Sequence, residues 1–212
     1  MGVKDRRARD RAEVREKILD AAREMFATDG IDAVTMRAIA ERIEYSPPVI
    51  YSHFEDKHAL IQELCYRDLR ALAQAFGRIG RVDDPVERLR RIGQAYVDFA
   101  LEHPEQFRFM FMTPKPAEDT SAVHDAMKAN PEEDAYAFLR DTVAEGIAAG
   151  RFRREFNDVE ELSQIAWGSV HGVVALHIAK CNDRWIDWRD ARETALKLAG
   201  ATMAGLLREA PQ

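Results

Sequence analysis

The sequence predicts an all-α protein, an N-terminal three-helix helix-turn-helix domain followed by a helical bundle. Three observations predict it. Apolar residues recur at helical spacing in almost every segment. Asp, Ser, Thr, Gly and Pro fall where such helices need caps and stops. No strand pattern and no internal repeat stands out.

The elements follow in order. Ile18, Leu19, Ala22, Met25 and Phe26 mark the apolar stripe of a first helix. Asp29-Gly30-Ile31 ends it, with Gly30 suited to the left-handed C′ position. Thr35 is an N-cap for a second helix carrying Met36, Ile39, Ala40 and Ile43. Ser46-Pro47 starts a short third helix, because proline at N1 has no amide to leave unpaired. A long helix is expected from Lys57 to Ile79 with Leu60, Leu64, Leu69, Leu72 and Phe76 inward. Asp84-Pro85 opens another, through Leu89, Ile92, Tyr96 and Phe99. His103-Pro104 breaks it and starts a short aromatic helix from Phe107 to Met112. Residues 113–131, with three prolines, read as a loop with at most one helical turn. Asn130-Pro131 is expected to open the next helix, closed by Gly150. Asp158 with Glu161 forms a capping box for a helix to about residue 180. Asp187 is expected to open the last helix, with Ala191, Ala195, Leu198, Thr202 and Leu206 on one face.

Composition bounds the function. With 46% hydrophobic and 32% charged residues, the 212-residue chain has enough apolar surface for a real core. It has no apolar run long enough to span a membrane, and its charged start predicts no secretory leader. Cys65 and Cys181, far apart and without a CxxC partner, predict reduced thiols and neither a metal site nor a disulfide framework. No cofactor is implied. Six histidines and many carboxylates invite an enzyme reading, yet the sequence holds no HExxH, no nucleophile motif and no glycine-rich phosphate loop. His171 and His177, six apart, do not share a helix face. The net charge of −6 argues against indiscriminate coating of nucleic acid. Positive charge is concentrated at the start instead, in Lys4, Arg6, Arg7, Arg9, Arg11, Arg15 and Lys17, whereas residues 118–134 are acid-rich.

The segment TMRAIAERIEYSPPVIYSHF, residues 35–54, places two short helices about a tight turn at Ile43-Glu44-Tyr45-Ser46. Ile39, Ala40, Ile43, Val49 or Ile50, and Phe54 close against the first helix. The second short helix then faces outward, as a helix-turn-helix does when it enters the major groove.

Residues 15–62 resemble the DNA-binding domain of the TetR family of regulators. The resemblance is carried by Ile18-Leu19-Asp20-Ala21-Ala22, Phe26, Asp29-Gly30, Val34-Thr35, Ile39-Ala40, Ser46-Pro47, Ile50-Tyr51-Ser52-His53-Phe54 and Lys57-His58-Ala59-Leu60. It implies a ligand-responsive regulator, by family default a repressor that leaves a palindromic DNA operator when a small molecule binds. Activator action stays open. It implies a homodimer in the cytoplasm with no membrane partner. The expected domains are 1–56 for DNA binding, with 1–12 a flexible basic arm, and 57–212 for ligand sensing and dimerisation.

The same resemblance implies site residues. Thr35, Tyr51, His53 and Lys57 match positions that contact phosphates, which fix register without reading sequence. Arg37 matches a position that reaches a base edge, where arginine prefers guanine. Ser46, Pro47, Pro48 and Val49 open the recognition helix, but the prolines and the valine supply no donor. Readout there falls to thymine methyls or DNA shape. Glu44 stands where the family commonly has glycine, a position strained for glutamate if left-handed. Arg37 as a solvated arginine and Tyr51 packed on the first helix remain the plain alternatives.

For the bundle, Gly168, Gly172 and Ala175 form a small-residue stripe, faced by Ala195, Leu198, Ala199 and Thr202, as a dimer interface or as packing within one subunit. Ala166-Trp167-Gly168-Ser169-Val170-His171-Gly172 is similar to a Trp-His-Gly signature in one branch of the family. Tyr96, Phe99, Phe107, Met110, Phe111, Phe138 and Trp167, with Thr142 and His171 as polar groups, are the candidates for a mostly apolar effector site or for plain core.

Overall fold

Helix α1 (Val3–Asp29) starts two residues into the chain, so most of the segment expected as a flexible basic arm over 1–12 is helical. The computed structural model describes residues 3–79, 82–116, 122, 125, 127–128 and 133–208. Gly30, at φ +83°, ends α1 in the left-handed conformation, its amide bonded to the Phe26 carbonyl. Helix α2 (Met36–Arg42) is capped by Thr35, whose side chain accepts from the Ala38 amide at 3.1 Å. Helix α3 (Pro47–Tyr51) begins with proline after Ser46, which makes no side-chain capping bond; the start rests on the fixed proline φ. Helix α4 (Lys57–Gly77) ends two residues short of the expected Ile79.

Helix α5 (Pro85–Glu102) is capped by Asp84, as predicted, and stops at His103. Helix α6 (Pro104–Phe107) passes into a π-helical turn, Arg108–Met112, closed by an amide of Thr113 on the Arg108 carbonyl at 2.9 Å. Helix α7 (Ala135–Ala148) is capped by Asp134; the opening expected at Asn130-Pro131 lies outside the described residues. Helix α8 (Val159–Lys180) has the predicted Asp158 cap on the Glu161 amide. The last helix, α9 (Ala191–Leu206), corrects another expectation. Asp190 caps it through the Glu193 amide at 2.6 Å, while Asp187 sits outside and pairs with Arg189 at 2.9 Å. Asp190 is placed where its oxygen meets the N3 amide; Asp187 is three residues too early. Among the described residues there is no regular strand, only a bridge between Phe152 and Leu207.

The chain divides into two compact units, Met1–Asp68 with Glu105–Ala126, and Leu69–Pro104 with Met127–Gln212. The first of these units ends within α4. The first unit is built on Ile18, Leu19, Phe26, Ile39, Ile50 and Leu64, all at most 1% exposed. Phe109 joins this core, its ring stacked 6.1 Å from Phe26. In the second unit α5 packs against α7, α8 and α9, and α8 packs along α9.

Candidate nucleic-acid interface

The α2–turn–α3 unit is fixed by what it buries. Met36, Ile39, Ala40, Ile50 and Phe54 point into the first unit's core. The opposite face is left to Thr35, Arg37, Ser46, Pro48 and Tyr51, all exposed, with Pro47, Val49, His53 and Lys57 half-buried. Tyr51 is 54% exposed, so it is not packed away on α1. The turn is held by amides of Glu44 on the Glu41 carbonyl and Tyr45 on the Ala40 carbonyl, at 3.1 and 2.9 Å. Glu44 adopts φ +60°, the left-handed conformation whose cost the sequence reading attached to this position.

The chemistry of each expected contact can now be stated. The Thr35 hydroxyl accepts from Ala38, which leaves its own proton to donate outward. Arg37 is exposed and bonds Glu41 one turn on, through Nε at 3.0 Å. Such an exposed i,i+4 pair contributes only about 0.3–0.5 kcal/mol, so it yields readily to a stronger partner. Lys57 has a task the sequence did not show. Its ammonium donates to the Ile31 and Val34 carbonyls at 2.6 and 2.9 Å, tying α4 to the α1–α2 connection. A lysine has three N–H donors, so one remains for a phosphate. His53 is held below the ordinary imidazole pKa by burial and by the positive charges of Arg11 and Arg15, which keeps the ring neutral near pH 7.

Arg11 and Arg15 are residues that the sequence showed only as part of the basic start of the chain. Arg11 donates to the Ser52 carbonyl at 3.0 Å and Arg15 to the His53 carbonyl at 2.9 Å. Arg15 also lies 4.2 Å over the Phe54 ring and 3.5 Å from Glu63. The available signal was their i,i+4 spacing, which puts both on one face of α1.

In the second unit, Tyr96, Trp167 and His171 come together: the Tyr96 hydroxyl lies 2.7 Å from His171 Nδ1, and the Trp167 ring stands edge-on to His171 at 5.7 Å. Burial pushes the Tyr96 phenol far up and the His171 imidazole down. The phenol therefore stays protonated and the imidazole neutral near pH 7, so the two share a hydrogen bond between uncharged groups. Tyr136 packs on Trp167 at 6.0 Å. The rest of the expected aromatic set is distributed. Phe99 meets His103 and Phe138 meets Phe76, while Phe107, Met110 and Phe111 belong to the first unit. Thr142 is fully buried and its hydroxyl donates to the Phe138 carbonyl at 2.8 Å, so that donor is not available to a ligand.

On α8, Gly168 and Gly172 are exposed, and a Cβ at either would meet nothing within 4 Å. Leu176 and Leu198 are 54% and 42% exposed, and Ala175, Ala199 and Thr202 are half-buried. Ala195 corrects the expected interface: at 0% exposure it packs within its own chain and offers nothing to a partner.

Comparison with known proteins adds to this geometry. Residues 18–64 match the family model described as bacterial regulatory proteins, tetR family, and residues 89–205 match a tetracyclin repressor-like C-terminal domain. The HTH-type transcriptional regulator UidR of Escherichia coli (strain K12) is 38% identical over 89 residues, 42% of this chain and 39% of UidR. The chain thus spans well under half of that relative's length. The HTH-type transcriptional repressor KstR2 of Mycolicibacterium smegmatis is 27% identical over 147 residues, 68% of this chain and 69% of KstR2. A solved TetR-family regulator from Marinobacter aquaeolei shares the fold at a TM-score of 0.75 and 21% identity, covering 96% of this chain and 100% of its own.

Proposed function

The chain belongs to the TetR family of bacterial regulatory proteins, and from that premise we propose a ligand-responsive transcriptional repressor that leaves a palindromic operator when a small, mostly apolar molecule binds. That it is a DNA-binding regulator of transcription rather than an enzyme follows from the family. The finer reading is ours, and the observation that carries it is the exposed face of α2 and α3. Arg37 and Tyr51 stand outward there, at the helix-turn-helix that a dimer presents to successive half-sites.

In this reading residues 1–56 bind DNA and 57–212 sense and dimerise. Thr35, Tyr51, His53 and the third N–H of Lys57 position the phosphates. Arg37 reads a base by exchanging Glu41 for guanine. Ser46, Pro47, Pro48 and Val49 line the groove and select by methyl contact and shape. The open face of α8 and α9, with Gly168, Gly172, Ala175, Leu198, Ala199 and Thr202, pairs with a second copy. The effector sits by Tyr96, Trp167 and His171, where buried aromatic surface meets a polar pair. It acts by binding one conformation of the dimer better than the other, since equal affinity shifts nothing.

The test is selection of duplexes by the full chain from a random pool, followed by a gel shift at fixed salt. An enriched two-fold symmetric site is expected; no enrichment over the input pool sinks the reading. On the enriched duplex, Arg37→Ala should relax preference at one base pair per half-site, a loss of about 1–3 kcal/mol of discrimination.

A further inference from the structure

We infer that Arg11 and Arg15 are positioning residues for DNA binding, clamping the C-terminal end of α3 instead of reaching the phosphate backbone. The inference rests on the regulator reading above. Helix α3 is only five residues long, Pro47–Tyr51, and starts with two prolines and no side-chain cap. A helix this short has almost no stability of its own, so its orientation must come from contacts made to it. Its N-terminal end is set by the proline φ, and its other end is where the arginines act. The residues just past it, Ser52 and His53, present carbonyls at the negative end of the helix, where cations are favoured. Arg11 bonds the first at 3.0 Å and Arg15 the second at 2.9 Å.

Arg15 does more than cap. The same guanidinium lies 4.2 Å over Phe54 and 3.5 Å from Glu63 of α4. One planar group thereby joins α1, the end of α3 and α4, an arrangement a lysine point charge cannot reproduce. Tyr51 and His53, the proposed phosphate contacts, sit immediately beside the clamped carbonyls. Tilting this end of α3 therefore moves those contacts and the groove-facing residues together. The two arginines spend donors inward, and their positive charge acts through the helix they hold.

The experiment uses the full chain with Arg11→Lys and Arg15→Lys, which keep the charge, and Arg11→Gln and Arg15→Gln, which do not. The probes are the duplex enriched by the unaltered chain and a shuffled duplex of the same composition. Both lysine variants should bind the shuffled duplex unchanged, with the same salt slope, and bind the enriched duplex roughly tenfold more weakly. Two results overturn the clamp: equal losses on both duplexes, with a salt slope shallower by about 0.9 for each glutamine variant, which is the signature of a lost phosphate contact; or unchanged affinity on both. Arg11 is exposed, so its variants carry the test if Arg15→Lys loses helicity. If no duplex is enriched at all, the regulator reading fails. The clamp is then read by NMR titration of His53 in the chain alone. Its midpoint should rise in both glutamine variants as a neighbouring positive charge is removed, and an unmoved midpoint overturns the clamp.

Discussion

Glu44 at φ +60° is a glutamate in a glycine's place. Left-handed backbone costs a side chain about 1–2 kcal/mol, and glycine returns about 0.4–1 kcal/mol of that through a floppier unfolded chain. Glu44→Gly should therefore stabilise the protein by up to about 1 kcal/mol, read as a higher thermal midpoint; a lower midpoint refutes the strain. His171 governs a pH response. Desolvation holds its folded pKa below the ordinary value of about 6.5, so the unfolded chain binds more protons in the window just below that value. The stability it contributes is fully present above the unfolded pKa and is lost as pH falls toward the folded one. The unfolding midpoint should drop between neutral pH and pH 5, and His171→Gln should flatten the drop. His53, lowered in the same direction, keeps part of the slope. A slope unchanged in His171→Gln contradicts the assignment.

Helices α7, α8 and α9 show how the same residue type carries opposite meanings. Gly146 lies within α7, where glycine costs about 1 kcal/mol relative to alanine. A Cβ there would stand 2.5 Å from Phe152 Cε2, a buried ring. Gly146→Ala should thus lower the denaturant midpoint, because overpacking costs about 1–3 kcal/mol and outweighs the gain in propensity. Gly168 and Gly172, by contrast, face open space in the single chain. Their neighbour across the proposed interface, Leu198, is 42% exposed, so a long charged side chain there can reach solvent in the single chain. Leu198→Arg should convert a sedimenting dimer to a monomer with helicity intact. A dimer that survives it places the interface elsewhere.

At the scale of the whole molecule, net charge and local charge part company. The chain carries −6, yet Lys4, Arg6, Arg7, Arg9, Arg11, Arg15 and Lys17 gather at its start, and Thr35, Arg37, Ser46 and Tyr51 are exposed about α2 and α3. Much of this was legible in the sequence. Helical periodicity and the caps at Thr35, Asp84 and Asp158 depend on residues a few places apart, so the order and type of the helices could be read locally. The motif residues of 15–62 likewise lie close in sequence, which is why the two short helices and the turn between them were legible there. The start of the last helix was expected at Asp187 and lies at Asp190, because the two aspartates offer equivalent cap signals and only packing chooses between them.

What the sequence determined by itself was the helical class, which follows from spacing within one or two turns, and the helix-turn-helix, which the ordered motif residues of 15–62 carry by resemblance. Only the tertiary structure decided which long-range partners those residues take. Arg11 and Arg15 meet carbonyls 41 and 38 residues away, Lys57 meets two carbonyls of the α1–α2 connection, and Ala195 turns inward. The aromatic residues, alike in sequence, are distributed between two units. The physical reason is the same throughout: periodicity fixes which face of a helix is apolar, whereas the partner on that face depends on how helices far apart in the chain come to pack.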